Sequence, residues 1–360
     1  MRKIRFVFPV LCILMLAIFS CNKDNPVVPH DEGLQPDSPR FNWQVTRMPY
    51  FGGGEFCYSL WSPDTNEVFM CSIINYLVHF KDGQFSTINY GPNIRMFFID
   101  GLSPTEGYII GSEHKNGIDI PHIERWNGSS FMNVPINYNF DKDFHVSNIL
   151  IKSSTEMWFS SPKGIMHKFD GYNLTQYYLP DTMMWGEGLL YDESNRLRYL
   201  TTYFDGAIDT LHRNYVYEFN GTTWSKVYED ITPLFTRVYG TFNNIIFAYS
   251  YPTSLYKLNN NVLSIALNVG YSNFALQDVP SFAGKSLSDF MGFAYYSNGY
   301  SFFHWNGQKW SYENVGNEDF TDLIKLRMIN DNYFCGVKNG VIHQGFLYRG
   351  YRKNIGSSPN

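Results

Sequence analysis

The sequence predicts an all-β fold, a β-propeller of seven four-stranded blades, on three observations. A motif of an aromatic residue, Asn or Asp, and Gly recurs along the chain at intervals of 39 to 50 residues. Aromatic residues make up 18% of the chain and charged residues 17%, a balance that favours strands and tight turns over solvated helices. A lone strand-like segment before the first repeat matches a strand missing from the last, so the chain can close on itself without leaving a sheet edge open.

The first residues form a prelude to that domain. Lys3 and Arg5 precede an uncharged apolar run from Phe6 to Phe19. The run is shorter than the roughly 20 residues a spanning helix requires. It ends at Ile18, Phe19, Ser20 and Cys21. That ending resembles a lipobox, which implies a signal peptide over residues 1–20 and a lipid on Cys21. Asn22 after the cysteine resembles lipoproteins sorted to the outer membrane, on its surface or its periplasmic side. Residues 21–40 are polar and Pro-rich and are expected to be a flexible tether, so that the body is anchored rather than spanning.

The propeller domain is expected over residues 41–352. Its motif reads Trp126-Asn127-Gly128 with Phe131, Phe169-Asp170-Gly171 with Leu174, Phe219-Asn220-Gly221 with Trp224, and Trp305-Asn306-Gly307 with Trp310. Asp82-Gly83 with Phe85 is a shortened copy. Leu258-Asn259-Asn260 is a degenerate one, in which Asn replaces Gly at a position expected to need positive φ, and Tyr348-Arg349-Gly350 is the last. A period in the forties with Asn-Gly turns marks four-stranded blades, strands a to d, with the turn joining c to d. Upstream of the turn, Asn148–Ile151, Met157–Phe159 and Gly164–His167 supply strands a, b and c of the third unit. Phe97–Ile99 and Tyr108–Ile110 match in the second unit, Leu323-Ile324 and Tyr333–Cys335 in the seventh. The seventh unit ends where its fourth strand would begin, and Phe41–Val45 stands alone with Trp43 at the fourth-strand aromatic position. The N-terminal strand is therefore expected to complete the last blade; an open β-solenoid of the same repeats is the other architecture the period allows. Residues 353–360 are expected to be a disordered tail.

The unit resembles the propeller repeats of two-component-regulator sensors and of the kelch and Asp-box groups. No copy carries the full Asp-box pattern, and no unit has the kelch Gly-Gly doublet, since Gly52-Gly53-Gly54 lies outside the register. The chemistry of those groups is therefore not implied.

With 28 basic and 33 acidic residues, the chain has no basic excess for nucleic acid, and loss of the signal makes the balance more negative. Cys57, Cys71 and Cys335 remain in the body. Cys57 and Cys71 flank a turn near Asp64 and are open to a disulfide in an export compartment, although buried thiols are the preferred reading.

Strand order places the b–c and d–a connections on one face. The b–c loops are expected to vary, with long ones at Glu113–Pro121 and Phe204–Asn214, and variable loops on a rigid scaffold are the usual place for binding. Near the starts of the inner strands on that face stand Glu55, Arg95, His145, Glu187, Arg237, Asp278 and Asp322. They are the candidate ligand-binding residues of a channel mouth, and their mixed charge suits a polar ligand such as a glycan or peptide.

No catalytic residue, metal site or cofactor is predicted. His79 and His167 each precede a turn Asp by three residues, which reads as a packing position. His114 and His122 have no third ligand in spacing, and His212 is similarly unsupported. Trp126, Trp224, Trp305 and Trp310 read as core between blades, whereas Trp185, Tyr203 and Phe204 are candidate platforms for sugar rings. The expected function is a non-catalytic, surface-tethered binding or scaffold propeller, monomeric, with a glycan, peptide or envelope protein as partner. The competing class is an extracellular hydrolase or lyase acting on glycans, with Glu187 and Asp278 as its carboxylate pair.

Overall fold

The computed structural model describes residues 41–353, except 50–56, 73–74, 141–143, 182–184, 193, 205–211, 233–237, 243–244, 249–253, 260, 269–280, 287, 297–298, 308–309, 314–319, 330–331 and 340–343. The expected signal, Cys21, the tether and the tail from 354 lie outside the described residues.

Strand β1 (Phe41–Arg47) leads into a first sheet of β2 (Cys57–Trp61), β3 (Glu67–Ser72), β4 (Tyr76–Lys81) and β5 (Gln84–Asn89). The second comprises β6 (Ile94–Ser103), β7 (Glu106–Lys115), β8 (Ile118–Trp126) and β9 (Phe131–Asn133). The third holds β10 (Asn137–Tyr138), β11 (Asn148–Ser153), β12 (Glu156–Ser161), β13 (Ile165–Phe169) and β14 (Asn173–Tyr178). The fourth is β15 (Trp185–Tyr191), β16 (Leu197–Phe204), β17 (His212–Phe219) and β18 (Trp224–Thr232). The fifth is β19 (Val238–Phe242), β20 (Ile245–Ala248), β21 (Ser254–Asn259) and β22 (Val262–Asn268). The sixth is β23 (Ser281–Ser286), β24 (Asp289–Tyr296), β25 (Gly299–Trp305) and β26 (Trp310–Glu313). The last is β27 (Phe320–Ile329), β28 (Asn332–Asn339) and β29 (Gln344–Arg352), with β1 as its fourth strand.

Each sheet is an antiparallel meander, and the sheets pack in succession. The first strands β2, β6, β11, β15, β19, β23 and β27 each lie against the next, and β27 lies against β2, which returns the circuit to its start. The fold is an all-β propeller. Four strands per sheet was too uniform an expectation, because the third sheet has five: β10 adds in parallel to the outer edge of β14.

The turn motif reports its backbone reason directly. Gly83, Gly128, Gly171, Gly221 and Gly307 have φ between 85° and 101°, a region closed to most side chains. In the degenerate copy the described left-handed residue is Asn261, at φ 68°, while Asn260 lies outside the described residues. The last copy is corrected. Gly350 is no turn residue but sits mid-strand opposite Trp43, where an added Cβ would come within 2.8 Å of the indole.

β1 runs antiparallel to β29 over its whole length, from Phe41 opposite Arg352 to Arg47 opposite Phe346. Phe41 is buried with Met291, Phe302, Leu326, Phe346 and Tyr348, and Trp43 stacks on Phe302 at 4.5 Å. On the other side, Met48 and Leu347 join Leu60, Val68, Met70 and Phe80 of the first sheet. The Tyr351 hydroxyl donates to the Thr65 carbonyl at 3.3 Å. Burial of each such side chain contributes roughly 1.5–3 kcal/mol, which makes the closing contacts apolar first and polar second.

Between the first and second sheets, Trp61 lies where Gly101 and Gly107, cross-strand partners, carry no side chain. Cys71 is fully buried in the same cluster with Phe69, Met96 and Trp126. The register sets Cys57 opposite Ser72 and Cys71 opposite Ser59, so the two cysteines are not cross-strand partners. Trp126, Trp224 and Trp305 are buried as expected, and the Trp310 side chain lies outside the described set.

Candidate functional site

The site is built from the starts of the inner strands. Ladder irregularities recur there: the register slips between Cys57 and Ser59 in β2, Met96 and Phe98 in β6, Gly186 and Gly188 in β15, Val238 and Thr241 in β19, and Phe320 and Asp322 in β27. An extra residue bends a strand and re-aims its side chains, and here it does so at the same end of the five inner strands β2, β6, β15, β19 and β27. Glu187 is itself such a residue.

Of the candidate residues, Arg95 stands second in β6 and His145 lies just before β11, both exposed. Glu187 lies in β15 and Asp322 in β27, with only their backbones described. Glu55, Arg237 and Asp278 lie outside the described residues, so the Glu187–Asp278 pair is not described as a unit. The same holds for the side chains of Trp185, Tyr203, Phe204 and His212.

The expected loop at Glu113–Pro121 is corrected. β7 and β8 continue as a hairpin closed by Asn116 and Gly117, at φ 53° and 83°, the conformation that an Asn-Gly turn with right-handed strand twist requires. Near its tip His114 and Asp119 are cross-strand partners, with Nδ1 2.9 Å from a carboxylate oxygen. Arg95 Nη1 approaches the other oxygen at 3.8 Å. Asp119 is buried, while His114 and Arg95 are about half exposed (53% and 54%), so the carboxylate anchors two solvent-facing cationic or polar heads. The Asp119 carbonyl accepts the Phe144 N–H at 2.8 Å, and the adjacent His145 sets its ring edge-on to Phe97 at 6.4 Å. Ser161 Oγ donates to the His145 carbonyl. Arg95 and His145 are thus linked through Asp119, which sequence reasoning missed. Its signal was the Asn-Gly pair, which fixes the register that faces it to His114. His114 and His122 do not meet. His122 is buried at 3.1 Å from Glu124, across the ladder from Gly111.

At the opposite end, a charged pair recurs between the head of strand b and strand c. Glu67 accepts from His79 at 2.7 Å and Lys81 at 3.3 Å, Glu106 pairs with Arg125 at 3.0 Å, and Asp289 with His304 at 2.7 Å. In the fourth sheet the signs reverse, with Arg196 facing Glu218 at 3.7 Å. His79 is therefore held by a hydrogen bond to the Glu67 carboxylate. His167, expected at the same place, is buried between Phe140 and Phe144, and burial pushes it down to about 4. A cavity of about 500 Å3 opens between the first and second sheets, bounded by Glu67, His79, Tyr90 and Glu124. Tyr90 donates to Glu124 at 2.8 Å, and burial with that carboxylate raises the phenol well above its ordinary range. Among the described residues no group of three or more His, Cys, Asp or Glu side chains is placed to hold a metal ion.

No protein-family model matches the chain, and no curated protein matches its sequence. Solved structures do resemble it. YCF48 bound to a D1 peptide is similar with a TM-score of 0.56 and 14% identity, over 88% of this chain and 98% of that one. Virginiamycin B lyase from Staphylococcus aureus gives 0.60 and 9%, over 85% and 99%. The WD40 β-propeller domain of Doa1 gives 0.54 and 10%, over 87% and 98%. At these identities the likeness establishes the propeller fold.

Proposed function

We propose that the chain is a non-catalytic binding propeller of seven blades, held at the outer membrane by a lipid on Cys21, whose inner-strand mouth takes a polar partner. The observation that carries the reading is the cluster of Arg95, His114, Asp119 and His145, where one buried carboxylate holds the exposed Arg95 and His114 side chains and the Asp119 backbone holds the segment that carries the exposed His145. Guanidinium and imidazole nitrogens gathered at one rim suit a peptide, an envelope protein or a glycan, whose carbonyl and hydroxyl oxygens accept hydrogen bonds. That YCF48 was solved with a peptide bound supports a polypeptide partner for a propeller of this shape. The circuit of inner strands supports the blade number, and the lipobox-like Cys21 supports the tether.

The test is an array of envelope peptides and glycans probed with the purified chain, with turnover of each ligand followed in parallel. Binding without turnover, weakened by Arg95→Ala, is expected. Turnover of any ligand would establish instead the competing reading, a hydrolase or lyase.

A further inference from the structure

The cavity between the first and second sheets has the makings of a second site, because each sheet gives it a buried carboxylate. Its volume of about 500 Å3 lies within the range of ordinary ligand sites. Glu67 opens β3 in the first sheet, and Glu124 stands near the end of β8 in the second. They are 6% and 8% exposed. Register brings the walls together. Glu67 and Phe69 face Lys81 and His79 across the β3–β4 ladder, so a side-chain period of two sets all four on one face. From the second sheet come Glu124, Trp126 two residues on, and Phe131 opposite Trp126.

An ionised carboxylate offers about four lone-pair positions. At Glu67, His79 Nε2 at 2.7 Å and Lys81 Nζ at 3.3 Å both donate to Oε1. Among the described residues no hydrogen-bond donor reaches Oε2. At Glu124 the Tyr90 hydroxyl takes Oε2 at 2.8 Å and His122 Nε2 takes Oε1 at 3.1 Å, which leaves one position on each oxygen. A buried carboxylate with an oxygen unmet is unfavourable, and a cationic donor inside the cavity relieves it.

Among the described lining residues Lys81 is the one ammonium, and its side chain is 56% exposed. Water screens that charge more than it screens the two buried carboxylates. The remaining walls are apolar: Phe69, Trp126 and Phe131 pack ring against ring, and Ile88 of the outer strand β5 is 39% exposed beside them. A methylene chain ending in an ammonium matches these walls. Its N–H groups meet the open carboxylate positions, and its stem lies along aromatic rings that attract the adjacent positive charge. A guanidinium fits less well, since its planar fork calls for both oxygens of one carboxylate and only Oε2 of Glu67 is open.

We propose that the cavity binds a primary alkylammonium cation, carried by a free polyamine or by a lysine side chain of a partner polypeptide. The site shares no residue with the Arg95 cluster.

The experiment is calorimetric titration of the purified full-length protein with cadaverine, spermidine and a capped glycine-rich peptide holding one lysine, with the Nε-acetylated peptide as control. At least one of the three amines is expected to bind. Binding of the free amines alone identifies a polyamine, and tighter binding of the peptide identifies a partner's lysine. Glu67→Gln, with its fold checked by thermal melting, should weaken binding about tenfold. Lys81→Ala removes the competing ammonium from an exposed position and should bind at least as tightly as wild type. Arg95→Ala should leave binding unchanged, which separates this site from the one at the mouth. Absence of binding by all three amines, an acetylated peptide that binds as tightly as the unmodified one, unchanged affinity in folded Glu67→Gln, or weaker binding in Lys81→Ala would overturn the proposal.

Discussion

Buried His167 sets a pH limit on the fold. His167 is pushed from 6.5 down to about 4 by burial, so the unfolded chain binds its proton more readily than the folded one. Its contribution is complete above about pH 6.5 and is lost as pH falls towards 4, at about 1.4 kcal/mol per unit. Chemical denaturation at pH 7 and pH 4.5 should show a smaller loss in His167→Leu than in wild type; equal losses would refute the assignment. Why His167 and His79 differ shows where the sequence was readable and where it was not. Counting back from the turn Asp aligns them. In the first sheet, however, Lys81 pairs with Gln84 around a two-residue turn, whereas in the third Phe169 pairs with Leu174 around a longer one. His79 is thus one residue before a buried aromatic, Phe80, and His167 two residues before Phe169. With a side-chain period of two, that difference puts them on opposite faces. Turn length, not residue identity, decided the environment. A second prediction belongs at this scale. Arg198 is fully buried between Asp192 at 2.9 Å and Glu218 at 2.5 Å and reaches Asn261 of the next sheet at 2.6 Å. Arg198→Ala removes the buried cation and leaves both carboxylates to the partly exposed Arg196, and should cost about 1.5–3 kcal/mol in equilibrium unfolding.

Among elements, β1 and the β7–β8 hairpin matter most. The repeat and the leftover strand made β1's role legible, because an antiparallel ladder needs a partner of matching length and an aromatic in register. The hairpin was misread as a loop, since its polar residues look like loop composition. Asn116 and Gly117 carried the correction in two letters. β10 left no signal at all, as two residues are too few for a pattern. Deleting residues 41–47 would expose the edge of β29 and the Phe302 face on which Trp43 stacks. Size-exclusion chromatography should then show larger species than the intact chain forms; unchanged elution with a cooperative melt would contradict the closing role of β1. Between the first and second sheets, Gly107→Ala places a Cβ 2.7 Å from the Trp61 ring and should lower stability by about 1–3 kcal/mol in thermal unfolding.

On the scale of the whole molecule, apolar clusters between sheets hold the ring, while the acid–base pairs at the b-strand heads tie strands within single sheets. Strand order alone puts Arg95 near the start of β6 and His145 just before β11, but that Arg95 meets Asp119 depends on the β7–β8 hairpin, whose register faces Asp119 to His114. Binding at the mouth is tested most directly by calorimetric titration of the strongest array ligand into wild type, Arg95→Ala and Asp119→Asn, with mass spectrometry of the recovered ligand. The account predicts a saturable isotherm, affinity lowered about tenfold in both variants, and ligand recovered intact. Ligand recovered cleaved, or affinity unchanged in both variants, would contradict it.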